Sequence, residues 1–230
     1  MEAILNTDSL AQTLWNLEEA RRADEASDSC EVVEALDWVA SRQGLRGSYR
    51  GVLFAPTTCD RQEGLIVPTG ENNSPSGAAV QHVLGEEAAR TLIKWGRVSG
   101  YDYEAVWSAI GSRFGFTNYG TIEEAGGKFC CARCSVAWWR ALEAGRPAGW
   151  ETILNNGIKL LTESRAGGPR WKRYPFYYTV LVLTELPLDS AHRELRGVGS
   201  AVERAAARQA TSTPEDRVRY VTLTRALEII

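Results

Sequence analysis

Three cysteines lie close together in the middle of the sequence, in the run FCCARC. Two of them, Cys131 and Cys134, form a C-x-x-C pair just before and at the start of a helix predicted over residues 134–144. Two thiolates at this spacing can bind one metal ion, and a helix N-terminus lowers the pKa of a thiol. The pattern predicts either a metal-binding pair or a redox-active or nucleophilic pair. Buried cysteines that act as small apolar side chains are the structural alternative.

A complete metal site needs further ligands, and the sequence offers two elsewhere. His82 lies four residues before Glu86 on a predicted helix, so that both side chains face the same way. Cys59 lies in the long loop before that helix. Thiolates combined with an imidazole suit zinc. We therefore predict a Zn²⁺ cofactor held by Cys131, Cys134, His82 and Cys59, with a purely structural His82 as the alternative.

A basic loop, RAGGPRWKRY, is the second candidate site. It carries a tryptophan between basic residues, next to the predicted start of a helix: Arg170, Trp171, Lys172 and Arg173. Arginines beside a helix N-terminus can bind phosphate or carboxylate. The loop is therefore predicted to bind an anionic group of a small-molecule ligand, unless it is simply a solvated turn. Glu71 is either a carboxylate partner for this loop or a general base.

Aromatic residues are the third feature, with eight Trp, eight Tyr and five Phe in the chain. Many of them lie between residues 138 and 178, and Trp138 is the first of this group. Aromatic faces can stabilise cationic intermediates in a pocket. Packing in the core is the alternative for most of them. Trp138 and Trp171 are predicted to contact the substrate.

Apolar spacing predicts that helices position these residues. Nine are expected: from near Asp8, after a Ser29 cap, over 77–95, and over 102–114, 134–144, 149–164, 175–186, 189–208 and 214–229. Short turns between them indicate an all-α fold of stacked helical hairpins in a single domain, residues 1–230, with 189–230 as a C-terminal helical extension. The Ala- and Arg-rich face from Val202 to Ala210 is either a homodimer surface or solvated.

The segment 44–77 interrupts this helical pattern. It holds six Gly and three Pro, and long segments of this kind in compact domains are usually functional or carry local structure. Two short β-capable runs, Gly51–Phe54 and Leu65–Val67, predict a small β-hairpin. A disordered surface loop is the alternative.

Two motifs resemble a known family. PFYYTVLVLTEL is similar to an aromatic helix start of the protein prenyltransferase β subunits, and FCCARCSVAWW is similar to their D-x-C-Y-S-F-W helix start. Gln43, Gly47 and Tyr49, together with GGPRW, resemble the Q-x(2–5)-G-x-W repeat of the related squalene cyclases. The resemblance implies an α/α toroid over about residues 30–190. Because the chain is short for six hairpins, we expect a partial toroid.

The resemblance also implies site residues. Tyr177 and Tyr178 fall on active-site positions of the family, and the Tyr178 hydroxyl is a candidate proton donor or metal ligand. However, Ala132 and Tyr178 replace the Asp and His of the family's zinc site, and neither D-x-D-D nor D-D-x-x-D occurs. The implied function is a small cyclase- or transferase-like biosynthetic enzyme that acts on an apolar small molecule, with Tyr178, Tyr177 and Glu71 as catalytic residues. The alternative is a non-catalytic helical partner-binding protein with structural cysteines or zinc.

Composition limits the remaining classes of function. The 230 residues carry 26 Lys and Arg against 29 Asp and Glu, a net charge of −3, which disfavours binding to duplex DNA. No apolar run reaches the length of a membrane span. The first residues lack the basic start and apolar centre of a signal peptide, and five cysteines are an odd number. We therefore expect a cytoplasmic protein with reduced thiols and no nucleic-acid partner.

Overall fold

A computed structural model describes residues 3–51, 53–73, 77–99, 126–129, 131–165 and 167–230. In these ranges the chain is mostly helical, with ten α-helices and one minimal two-stranded sheet. The predicted all-α class is confirmed, whereas the partial toroid stays a prediction. The residues group into two compact units: a first unit within Met1–Leu65 and Ser74–Gly120, and a second unit within Ile66–Asn73 and Thr121–Ile230. The single-domain organisation also stays a prediction.

The first unit is built from four described helices and a short 3-10 turn. Their bounds are Leu10–Arg22 (α1), Cys30–Ser41 (α2), Thr58–Glu63 (α3) and Gly77–Ser99 (α4), with the 3-10 turn at Tyr49–Gly51. Serine side chains cap the first two helices, since Ser9 accepts from the Gln12 N–H and Ser29 from the Val32 N–H. Helix α1 packs against α2 and α4. Their apolar stripes form the core of this unit, which includes Leu10, Leu17, Leu36, Val39, Val83, Leu84 and Leu92.

The second unit contains the other six described helices. Their bounds are Ala132–Gly145 (α5), Trp150–Ser164 (α6), Phe176–Glu185 (α7), Asp189–Gly197 (α8), Gly199–Ala206 (α9) and Pro214–Ile229 (α10). Helix α7 packs against α5, α8 and α10, and its middle residues are buried on every side. A helix that is apolar all round occupies a core. The cysteines lie at the start of α5, one of the neighbours of this central helix.

The long segment 44–77 is only partly as predicted. Strand β1, Leu65–Ile66, pairs with strand β2, Asn72–Asn73. Phe54 instead forms an isolated antiparallel bridge with Gln43. The two β-capable runs therefore do not pair with each other as predicted. Each contains residues that pair with another part of the chain.

Other differences concern helix limits. The predicted helix 189–208 is two helices, α8 and α9, because the backbone leaves the helical region at Val198, where φ is −112° and ψ is 10°. Val198 is itself buried and lies between two glycines, whose conformational freedom permits the break. The predicted helix 102–114 lies outside the described residues. Among the described helices, none has both the length and the apolar content needed to cross a bilayer.

Candidate functional site

The C-x-x-C pair lies at the start of α5, as predicted. Cys131 is the N-cap residue of the helix and Cys134 is its third residue, and their sulfur atoms are 3.6 Å apart. Cys134 is fully buried, whereas Cys131 is partly exposed. The pair thus combines one partly exposed cysteine with a second cysteine that is fully buried.

A short hydrogen-bond network fixes the turn that carries Cys131. The Ser135 hydroxyl donates to the Cys131 carbonyl oxygen at 2.8 Å and accepts from the Phe129 N–H at 2.9 Å. Both links are local, so they tie the Cys131 carbonyl and the Phe129 N–H group to the first turn of α5. The Cys131 backbone is therefore anchored at the start of α5.

Two glycines allow this turn to approach the neighbouring helix. Gly127 has a φ of 79°, and a Cβ there would clash with the backbone nitrogen of Gly157 on α6. A Cβ on Gly157 would in turn lie 2.6 Å from the Trp139 ring, whose Nε1 donates to the Gly127 carbonyl at 2.7 Å. Only glycine fits either position. The Gly127 turn, α5 and α6 are therefore closely packed next to the residues that carry the thiols.

Two pairs of aromatic rings pack near the cysteine turn. Tyr174 stacks on Trp139 with ring centroids 6.0 Å apart, and Phe129 packs against Trp138 at 5.8 Å. Burial raises the pKa of the Tyr174 phenol above its ordinary value, and the charge of the Cys131 thiolate raises it further. The phenol near Cys131 therefore stays neutral at physiological pH. Trp138, predicted to contact substrate, lies beside the cysteine turn.

The other two predicted metal ligands belong to the first unit. His82 is buried on α4, with the Tyr49 ring 3.6 Å away at an interplanar angle of 72°. Cys59 lies on α3, where a hydrogen bond to Glu63 is the main cause that raises the pKa of its thiol. Within the described ranges no group of three or more His, Cys, Asp or Glu side chains is arranged to hold a metal ion. The four-ligand zinc site stays a prediction.

The three residues predicted to be catalytic come together at the start of α7. One carboxylate oxygen of Glu71 accepts from the Tyr177 N–H at 3.1 Å, and the other accepts from the Tyr178 N–H at 2.7 Å. The Thr69 hydroxyl also donates to Glu71, at 3.2 Å. Tyr178 is fully buried, whereas the half-buried Tyr177 ring lies under the Arg219 guanidinium at 5.0 Å. The contact runs through the tyrosine backbone, so Glu71 acts here as the anion at a helix N-terminus.

The basic loop is held in place by a carboxylate that the sequence analysis did not single out. Glu194 on α8 is buried and accepts from the Trp171 Nε1 at 2.7 Å and from the Thr162 hydroxyl at 2.6 Å. Arg165 completes the cluster as an ion pair at 3.0 Å. Nothing local marked Glu194, because its partners lie 23 to 32 residues earlier in the chain. Trp171 is therefore buried as part of this cluster.

The remaining basic residues of the loop are all exposed. Arg170 lies over the Phe176 ring at 4.3 Å, and Lys172 and Arg173 are exposed. The nearest helix start, that of α7, has its second and third N–H groups bonded to Glu71. An anionic ligand in this loop would rely on side-chain charge without those two donors. The predicted anion site stays a prediction.

Comparisons with protein-family models, with curated proteins and with solved structures gave no match to this chain.

Proposed function

We propose that this chain carries out thiol–disulfide exchange at the Cys131–Cys134 pair. The observation that supports this proposal is the 3.6 Å separation of the two sulfur atoms at the start of α5. A disulfide needs a sulfur–sulfur distance of about 2.05 Å. Because the sulfurs are already in contact, small changes in side-chain torsion angles suffice to form the bond.

The difference in exposure gives the two sulfurs different roles. The Cys131 thiolate attacks one sulfur of a low-molecular-weight disulfide, whose S–S bond breaks and whose other half leaves as a thiol. Cys134 then attacks the Cys131 sulfur of this mixed disulfide and expels the second half as a thiol. The protons of the two cysteines end on the two released thiols. One substrate disulfide is reduced and one protein disulfide is formed.

The surroundings of Cys131 support this chemistry. The partial positive charge of the α5 N-terminus favours a thiolate over a thiol. The Ser135 hydroxyl holds the Cys131 carbonyl, so the sulfur meets its substrate without a rearrangement of the turn. The neutral Tyr174 phenol adds no negative charge that would oppose the thiolate.

The half-buried Tyr174 ring also supports the predicted preference for an apolar small molecule. Near the cysteine turn, Phe129 packs against Trp138 and Trp139 stacks on Tyr174. Of these rings Tyr174 is the half-buried one, and a disulfide with aromatic or aliphatic substituents would gain from contact with it, whereas a highly charged one would not. The proposal thus replaces cyclase- or transferase-like chemistry by sulfur chemistry on a substrate of similar polarity.

Zinc binding is the second candidate function and uses the same sulfur–sulfur distance. Two thiolates on one tetrahedral Zn²⁺ are about 3.8 Å apart when each Zn–S bond is about 2.3 Å. The observed 3.6 Å is close to this value. The pair would supply two of the four ligands of such a centre.

Equilibration with redox buffers distinguishes the two functions. The full-length protein is incubated with reduced and oxidised glutathione at a series of ratios, with a chelator present, and is then quenched, alkylated and mapped by mass spectrometry. Exchange predicts reversible formation of the Cys131–Cys134 disulfide with a single midpoint. Cys134→Ser should accumulate a glutathione adduct on Cys131, and Cys131→Ser should form no disulfide at this site.

Matched controls use cysteines elsewhere in the chain. Cys30→Ser changes an exposed thiol on α2 and should leave the midpoint unchanged. Cys130→Ser tests the adjacent thiol, which lies outside the described residues. A pair that stays reduced at every ratio contradicts exchange. Stoichiometric zinc that is lost in Cys134→Ser, with no disulfide formed after chelation, supports the second candidate instead.

A further inference from the structure

The outer face of α10 is unusually apolar. Among the described residues five large apolar side chains are exposed, and three of them lie on this helix: Tyr220 at 50%, Val221 at 42% and Leu227 at 41%. Surface helices normally present charged and polar side chains to water. Clustered exposed apolar side chains mark surfaces that bind another molecule.

The inner face of the same helix is already used within the second unit. Val218, Thr222, Leu223 and Ala226 are buried, and α10 packs against α7, α8 and α9. The helix is thus apolar on two opposite sides. One side completes the core of the unit, so the other side needs a different explanation.

Two opposite charges lie at the ends of the outer face. Arg217 is exposed near the start of α10 and Glu228 is exposed near its end. They are eleven residues apart, about 16 Å along the helix, and point the same way because eleven residues complete three turns. In the described part of the chain neither side chain is hydrogen-bonded or ion-paired to another residue. Along its length the outer face therefore has a basic side chain at one end, apolar side chains between, and an acidic side chain at the other end, with the exposed Arg225 on its flank.

This order of charges is complementary to itself when reversed. We propose that a second copy of this chain docks on α10, with the two α10 helices antiparallel. In that arrangement Arg217 of each copy lies beside Glu228 of the other, and Tyr220 of each copy lies about 3 Å along the helix axis from Leu227 of the other. A two-fold interface requires that one patch match its own reversed copy, and this face does so. An unrelated partner would not require that symmetry.

The surface differs from the homodimer face suggested by the sequence. That face runs from Val202 to Ala210, but Val202 and Ala205 are buried within the second unit. One helix face also covers less than the roughly 800 Å² per partner of a typical stable complex. We therefore expect concentration-dependent association with a dissociation constant in the micromolar range.

Charge reversal in two separate variants tests the proposal. Sedimentation velocity is run on the full chain over a range of concentrations spanning about two orders of magnitude around the micromolar level. Arg217→Glu places four acidic side chains at the contact, and Glu228→Arg places four basic ones. Each variant alone should therefore associate at least about tenfold more weakly than the wild type.

An equimolar mixture of the two variants gives the decisive result. In a mixed pair, both contacts again join an acidic and a basic side chain, so the mixture should form a heterodimer at wild-type concentrations. Arg193→Glu, which reverses an exposed charge on α8, is the control and should leave association unchanged. The proposal is overturned if the wild type is monomeric throughout, if the single variants associate like the wild type, or if the mixture stays monomeric while the circular dichroism of both variants remains native.

Discussion

Each of the two units uses one acidic residue from the long segment 44–77 to complete the start of a helix. In the first unit this residue is Asp60, and in the second unit it is Glu71. Both carboxylates accept hydrogen bonds from backbone N–H groups at a helix N-terminus, where a helix has unpaired donors and a partial positive charge. The two caps differ in burial, in number of donors and in how local they are.

Asp60 is the more buried and the more heavily bonded of the two. It is 2% exposed, and its carboxylate accepts from the Ser9 hydroxyl at 2.8 Å, from the Leu10 N–H at 3.0 Å and from the Ala11 N–H at 3.2 Å. It also accepts from the Thr57 N–H at 2.7 Å as part of a capping box for α3. One carboxylate therefore joins the starts of α1 and α3.

Glu71 is half-buried and serves a single helix. Its donors are two N–H groups of α7 and the Thr69 hydroxyl. The Arg219 guanidinium donates to the Thr69 carbonyl at 2.6 Å and so ties the same segment to α10. We therefore expect burial and donor count, and not the presence of a cap alone, to set the contribution of each carboxylate to stability.

Loss of Asp60 is expected to have the largest effect. Asp60→Ala leaves the buried N–H group of Leu10 and the partly buried N–H group of Ala11 without an acceptor, which should lower the free energy of unfolding by about 3 kcal/mol. Hydrogen exchange should accelerate at the starts of α1 and α3. Asp37→Ala, which removes an exposed carboxylate from α2, is the control. A loss below about 1 kcal/mol would contradict the importance of burial.

Loss of Glu71 should cost about half as much. Glu71→Ala removes two backbone contacts from a half-buried site, and we expect a loss of about 1.5 kcal/mol in the unfolding of the second unit. Exchange should accelerate at the Tyr177 and Tyr178 amides while those of α1 remain unchanged. An effect equal to that of Asp60→Ala would remove the distinction between the two caps.

The local part of the first cap can be separated from its long-range part. Thr57→Ala removes the hydroxyl that accepts from the Asp60 N–H, but it leaves Asp60 bonded to α1. A capping residue of this type is worth about 1 kcal/mol. Denaturant unfolding of the single and double variants, Thr57→Ala and Asp60→Ala, measures their coupling. Full additivity would show that the capping box and the α1 contact act independently.

A cap that is local and only partly buried should give the smallest effect, and this effect should depend on pH. In α10, Asp216 and Thr213 form a capping box, and the pKa of Asp216 is lowered mainly by a hydrogen bond from the Ser212 hydroxyl. Because the folded pKa lies below the unfolded one, this stabilisation is present above the ordinary aspartate pKa and is lost as the pH falls through the lowered value. The stability difference between wild type and Asp216→Ala should therefore shrink below about pH 4. A difference that is constant from neutral to acid pH would contradict it.

Local signals in the sequence predicted local structure well. The Ser29 cap, the start of α10 after Thr213 and the position of Cys131 at a helix start are all confirmed. Each depends on residues within one helical turn of one another. Such contacts follow from propensity and capping rules without knowledge of the tertiary fold.

Contacts between distant residues could not be predicted in this way. Asp60 bonds to Leu10 across 50 residues, and Glu71 bonds to Tyr178 across 107. The sequence T-T-C-D did carry the capping box of Asp60, but nothing in it indicated α1 as a second partner. The buried cluster around Glu194 is similar, since a glutamate on an amphipathic helix is usually exposed. The sequence predicted the part of the candidate site whose residues are close together in the chain, which is the pair Cys131 and Cys134.

The placement of Ile66–Asn73 in the second unit has a consequence for biosynthesis. These eight residues leave the ribosome before most of the unit that they complete, and the Thr69 carbonyl meets Arg219 only after 150 further residues have been made. Pairing over such a sequence separation slows folding, because the intervening chain must be closed into a loop first. An expression fragment that starts at residue 121 would lack the segment altogether and would leave the Tyr177 and Tyr178 amides without their acceptor. A separate peptide of residues 66–73, added to this fragment, is the shortest piece that would restore the missing contacts.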